Sequence, residues 1–151
     1  MYEKVPVPLD GSKESECIID HIAMLAKSCG IPGVVLLRVI EPFAHAAVIT
    51  YLGDEGVRSA QTKARQAAEE YLSYVAGPLK THCRGVETAV MEGRPAEAIL
   101  DYAEKNGVDL IAMSTHGASG PTRWAVGSVT QKVLSQAGIA LLTVTPSSCR
   151  P

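Results

Sequence analysis

The run GVVLLRVI, from Gly33 to Ile40, constrains the fold of this chain more than any other feature. It is almost continuously apolar and is bounded by Pro32 and by Glu41-Pro42, the pattern of a strand buried on both faces. VDLIAM, from Val108 to Met113, repeats that pattern. Shorter strands are expected over Lys4 to Leu9, Val86 to Met91 and Ile139 to Val144. Between them the period changes to helical. Ile18, Ile22, Leu25 and Cys29 share one face, with Ser12 as N-cap and Gly30 as C-cap. Val57, Ala60, Ala64, Ala67, Ala68, Tyr71 and Val75 form a second stripe that Gly77-Pro78 ends. A third helix starts at Pro95, turns Ile99, Leu100 and Ala103 inward and stops at Asn106-Gly107. The last carries Val129, Val133, Leu134 and Ala137 and closes at Gly138. Glu41 to Asp54 has no clean period and reads as a loop.

Strands alternating with helices predict a parallel sheet with helices on both faces. Ligands of such sheets sit beyond the carboxyl ends of the strands, where strand order reverses. Pro6 lies inside the first strand and cannot donate to a ladder, which predicts a bulge or an end position there. A length of 151 residues without linkers or repeats predicts one domain over 1–151 that needs no disulfide or metal staple.

Charge narrows the function. Fourteen basic against sixteen acidic residues give a net of −2, without the basic excess of a nucleic-acid binder. The total hides an asymmetry. The first 109 residues carry −5, while Leu110 to Pro151 holds only Arg123, Lys132 and Arg150 and no carboxylate side chain. That third of the chain suits an anion. No apolar run of about 18 residues and no signal-like opening are present, so no membrane partner and a cytoplasmic location are expected. Cys17, Cys29, Cys83 and Cys149 have no C-x-x-C spacing and read as reduced thiols.

Two segments at strand ends look unlike connectors: Pro8 to Ser12, and Met113 to Gly120 continuing to Gly127-Ser128-Val129-Thr130. Free N–H groups at the start of the last helix, with the Ser128 and Thr130 hydroxyls, can surround a phosphate. Glycines 117, 120 and 127 let the backbone approach it. Three charge-assisted bonds of about 1.5–3 kcal/mol each suffice for micromolar binding after association costs. Asp10 has two readings: it holds a ribose or a magnesium ion, or it stabilises the turn and the first helix N-terminus. His116 either touches phosphate or bonds to backbone.

The stretches KVPVPLDGSKES, GVVLLRVIEP, EGRPAEAILDYAEKNGVDLIAMSTHGASG and VGSVTQKVLSQAGIALLTV resemble the universal stress protein family in order and spacing over nearly the whole chain. The resemblance implies a three-layer, doubly wound α/β fold. Its sheet would be five-stranded and parallel (Rossmann-like, adenine nucleotide alpha hydrolase-like), in order 3-2-1-4-5. It further implies a homodimer made by antiparallel pairing of the last strands, here Ile139 to Val144. The ATP-binding branch of that family has glycine, two residues, glycine, nine residues, then glycine with Ser or Thr. Gly117, Gly127 and Ser128 match, and Ser114 stands at the first position. At positive φ a serine there would cost about 1–2 kcal/mol; at negative φ it is harmless and its hydroxyl adds a bond. The resemblance sets phosphates against Gly117, Gly127, Ser128, Val129 and Thr130, and ribose and adenine near Asp10, Pro8, Leu9, Val39 and Met113. ATP, with magnesium near Asp10, is the cofactor implied.

Asp10, His116 and Ser128 supply the residue types of a hydrolytic triad, but neither a G-x-S-x-G elbow nor a P-loop motif occurs. No catalytic residue is expected; the expected role is a stress-response sensor or regulator. The alternative is a dimeric interaction module of the same fold that binds no nucleotide. Phe43 to Gly56 is a candidate contact surface in either case.

Overall fold

The computed structural model describes residues 2–43, 46–117 and 126–146. Gly120, Arg123, Cys149 and Arg150 lie outside them. In chain order the elements are β1 (Lys4–Pro8), α1 (Lys13–Glu16), α2 (Ile18–Cys29), β2 (Gly33–Ile40), α3 (Ala46–Leu79), β3 (Gly85–Glu92), α4 (Pro95–Lys105), β4 (Leu110–Ser114), α5 (Ser128–Gln136) and β5 (Ala140–Val144). Every ladder is parallel.

Apolar residues of both strand faces build two cores. On one side Val5, Val7, Leu9, Val34, Leu36, Leu110 and Ala112 pack with Ile18, Ile22 and Ala26 of α2 and Leu72, Val75 and Ala76 of α3. On the other, Leu37, Ile111 and Met113 pack with Ala96, Ile99 and Ala103 of α4 and Val133 of α5. The expected layering of helices over both faces is present. Val34, Leu36 and Leu37 are 0 % exposed, as a doubly covered strand requires.

The sheet itself corrects the expectation of one continuous five-stranded ladder. Hydrogen bonding gives a three-stranded sheet, β1-β2-β3, and a two-stranded sheet, β4-β5, with β1 lying beside β4. Parity explains the break. Leu9 N donates to Leu37 O at 2.8 Å, so the odd residues of β1 point their N–H groups at β2. The even residues face β4, and two of them, Pro6 and Pro8, have no N–H. Pro6 is neither bulged nor terminal, because it stays in register opposite Val35.

Asp109 takes over part of the missing ladder. It accepts from Glu3 N at 2.7 Å and Lys4 N at 3.4 Å, which ties the start of β1 to β4 and delays β4 from the expected Val108 to Leu110. Asp109→Ala leaves both N–H groups to solvent and is expected to cost about 1–2 kcal/mol. At about 2–4 °C per kcal/mol for a chain of this size, thermal unfolding by circular dichroism should shift by several degrees.

Other boundaries move for local reasons. The first expected helix is split at Cys17, where α1 ends and α2 begins. The chain from Ala46 is helical rather than loop, and Gly53, at φ 68° and ψ 169°, interrupts α3. The period is hidden there because Ile49, Tyr51 and Leu52 face solvent instead of a core. Helix α3 passes Gly77-Pro78 and ends at Leu79, whose side chain is 1 % exposed and anchors the final turn.

Candidate functional site

At the carboxyl ends of β1, β2 and β4 a cavity of about 330 Å³ opens against the start of α5. All eleven residues singled out in the sequence line it: Pro8, Leu9, Asp10, Val39, Met113, Ser114, Gly117, Gly127, Ser128, Val129 and Thr130. Pro8, Leu9, Val39 and Met113 supply apolar wall; the glycines and α5 supply polar backbone. The cavity also takes in Ser15, Leu37, Arg38, Pro95, Ile99, Thr115 and His116.

Asp10 is held by an Asx turn. Its Oδ1 accepts from Ser12 N at 2.9 Å and Ser12 Oγ at 2.5 Å. Ser12 Oγ in turn accepts from Ser15 N and caps α1, while Ser15 Oγ donates to Ser12 O. The turn reading of Asp10 is therefore realised. The carboxylate also lies on the backbone of Gly117, where a Cβ would stand 2.9 Å from Asp10 Cγ and closer still to Oδ2. Gly117 does not have positive φ. What requires glycine there is the approach of Asp10.

At the opposite wall, α5 has Gly127 as N-cap, no side-chain cap and no acidic residue in its first turn. Gly127 N is used, donating to Thr115 O at 2.8 Å, and Gln131 N donates to Gly127 O. The amides of Ser128, Val129 and Thr130 are the three that a helix start leaves without intrahelical partners. Their partial positive charge faces the cavity. The Thr130 hydroxyl does not: it donates to Ser114 O at 3.0 Å in a buried bond, so the expectation that it faces a phosphate is corrected. Ser114 is unstrained, because no non-glycine among the described residues has positive φ. Its Oγ accepts from His116 N at 3.4 Å.

The charge argument also shifts. Lys132 Nζ lies 2.8 Å from Glu97 Oε1, and this hydrogen bond holds the Glu97 carboxyl below the usual range. Lys132 therefore answers α4 and not the cavity. Arg38, on β2 in the acidic part of the chain, is the cation on the cavity wall among the described residues. Its Nη1 donates to Leu9 O at 3.3 Å, and its guanidinium lies beside Gly11. Arg38 is not among the residues expected at the site, although a single cation inside the apolar run of β2 is a signal in the sequence. Nearby, Tyr71 donates to Glu16 at 2.9 Å; burial and that carboxylate push its phenol pKa up.

For a metal the donor set is thin. No group of three or more His, Cys, Asp or Glu side chains converges among the described residues. Asp10 is the only carboxylate on the described cavity wall, so a magnesium ion there would depend on ligand phosphates and water for its other contacts.

Parallel strands under two helix layers, with a mixed apolar and backbone-lined cavity at the strand ends, define a Rossmann-like α/β protein. Residues 1–145 match the model of the Universal stress protein family, and the chain belongs to that family. Universal stress protein MJ0531 of Methanocaldococcus jannaschii is 31% identical over 151 residues, covering 95% of this chain and 82% of the relative. The solved structure of MJ0577 from the same organism is 27% identical, covers 96% of both chains and superposes with a TM-score of 0.82. A universal stress protein of Archaeoglobus fulgidus, solved in complex with dAMP, shares the fold at 19% identity and TM-score 0.59, over 94% of this chain and 97% of that one. No helix among the described residues is long and apolar enough to cross a membrane.

Proposed function

We propose that the cavity binds ATP and that the protein acts as a nucleotide-responsive stress regulator rather than a metabolic enzyme. One observation carries this reading: residues from five separate stretches, chosen from sequence for a nucleotide, line a single cavity ending at an uncapped, acid-free helix start. The triphosphate lies against Gly117, Gly127 and the amides of Ser128, Val129 and Thr130. Ribose lies by Asp10, and adenine between Leu9, Val39 and Met113. Magnesium enters with the phosphates, near Asp10. The reading includes a single 1–151 domain in the cytoplasm and a homodimer through the last strand. Support for the dimer comes from β5, which is the outer strand of its sheet and keeps Leu141 and Leu142 only half-buried.

A second reading has its own observation. Ile49, Tyr51 (88 % exposed) and Leu52 form an apolar surface on the arm before Gly53, which favours a protein-contact module. Mass spectrometry of the denatured, freshly purified protein separates the two. Released ATP supports the nucleotide reading; preparations free of nucleotide that also give no signal with millimolar ATP leave the contact module.

A further inference from the structure

We propose that a second cavity, at the amino ends of β4 and β5, binds a small apolar molecule that carries a cationic head group. It measures about 390 Å³, within the size range of small-ligand sites. It lies between the last turns of α4 and α5, at the opposite end of the strands from the nucleotide cavity. No residue lines both cavities, so the proposal is independent of the nucleotide reading.

The cavity is a gap at the edge of the α4/α5-side core. Leu100 and Ala103 of α4, Val108 and Ile111 along the entry to β4, and Ile139 before β5 supply its apolar wall. Ile111 is fully buried, while Leu100 and Ile139 are partly buried and pack against the same core. The gap persists because the residues that turn the chain there are small. Ala137 caps α5, and nothing lies within 4 Å of where a Cβ on Gly107 or Gly138 would stand. Water held against such a wall lacks the polar partners that fix it, and an apolar group gains by displacing it.

Charge selects the head group. Glu104 is the one ionisable side chain on this wall among the described residues, and it makes no ion pair among them. Its neighbour Lys105 lies 4.0 Å from Asp101 instead. Helix α4 ends at Lys105 and α5 at Gln136, so two helix carboxyl ends converge on the cavity, and α5 has no basic residue in its last turn. Their partial negative charge favours a cation, as does the Glu104 carboxylate. The Gln136 side chain adds an amide oxygen that can accept from an ammonium. A carboxylate head would meet only like charge, and a neutral head would gain neither attraction.

The test is titration of the wild type with hexylammonium, hexanol and hexanoate, one chain length with three head charges, followed in ¹H–¹⁵N spectra. The amides of Gly107, Val108, Gly138 and Ile139 should move more than those of Ser128 to Thr130 at the far end of α5. Hexylammonium should bind about fivefold tighter than hexanol, with hexanoate the weakest. Glu104→Gln should cut the preference for ammonium over hexanol to about twofold, the share left to the helix ends, with hexanol affinity unchanged. Ala103→Leu, which fills the cavity, should weaken all three probes. Circular dichroism identifies a variant that has merely unfolded, and the order of the probes on the wild type answers the question without any variant. Still amides around Gly107 and Gly138 at tens of millimolar probe would overturn the site. So would shifts largest at Ser128 to Thr130, or probes that bind a folded Ala103→Leu as well as wild type. Hexanoate or hexanol binding as tightly as hexylammonium would overturn the cationic head group.

Discussion

Gly117→Ala should weaken ATP binding at least tenfold and lower stability at the same time. The added Cβ would stand 2.9 Å from Asp10 Cγ and closer to Oδ2, a separation that real Cβ atoms essentially never show. The carboxylate or the 114–117 backbone must move. If Asp10 moves, its two exposed bonds to Ser12 N and Oγ go with it, at about 0.5–1.5 kcal/mol each. If the backbone moves, Gly117 shifts relative to the α5 amides across the cavity. Both routes separate the wall assigned to ribose from the wall assigned to phosphate, and about 1.4 kcal/mol of misfit is tenfold in affinity. The double variant Asp10→Ala/Gly117→Ala tells strain from ligand contact. It should regain much of the lost thermal stability, because the clash is gone, and it should bind ATP no better than Gly117→Ala. Affinity unchanged in the single variant would mean the phosphates lie elsewhere.

Leu37→Ala should be the most destabilising single truncation that touches the cavity. Leu37 is 0 % exposed, belongs to the α4/α5-side core and also lines the cavity from β2. Deleting three side-chain carbons from such a site costs about 2–5 kcal/mol, since the rigid strand cannot collapse into the void. A melting temperature lower by about 5–15 °C follows for a domain of this size. The void joins the cavity beside Val39 and Met113 rather than the α5 start. Saturating ATP should therefore still raise the melting temperature of the variant, since ligand bound only to the folded state stabilises by about 2.7 kcal/mol at a hundredfold excess over Kd. A loss below 1 kcal/mol would show that the strand and α4 repack, which would contradict the close packing assigned to this layer.

Alternation of strand and helix was legible because each element buries its own period: Val34, Leu36 and Leu37 on two faces, Ile18, Ile22 and Ala26 on one. The cavity wall was legible for a related reason. Asp10, Gly117 and Gly127-Ser128 stand at ends of elements whose order was already fixed, so topology brings them together. What stayed hidden depends on partners distant in the chain or on direction. The ladder between β1 and β4 lacks the Pro6 and Pro8 donors only because parity turns them toward β4, and parity is set by where Leu9 N finds Leu37 O. Lys132 belongs to Glu97, 35 residues away, so a charge count along the chain misplaces it. The Thr130 hydroxyl turns inward to Ser114 O, a choice no local pattern records. Arg38 was hidden by its neighbours, because one cation does not disturb the apolar signature of β2. The arm before Gly53 reads as a contact surface but not as a helix, because its apolar residues face outward and periodicity detects only helices with a core to face.

Calorimetric titration of the nucleotide-free protein with Mg-ATP tests the central claim most directly. Three amides at an uncapped helix start, an apolar slot for the base and Asp10 for the ribose predict saturable binding with one site per chain and a Kd of about micromolar, near −8 kcal/mol. No heat and no competition at millimolar ATP would contradict it, and would leave the cavity without the nucleotide for which its residues were singled out.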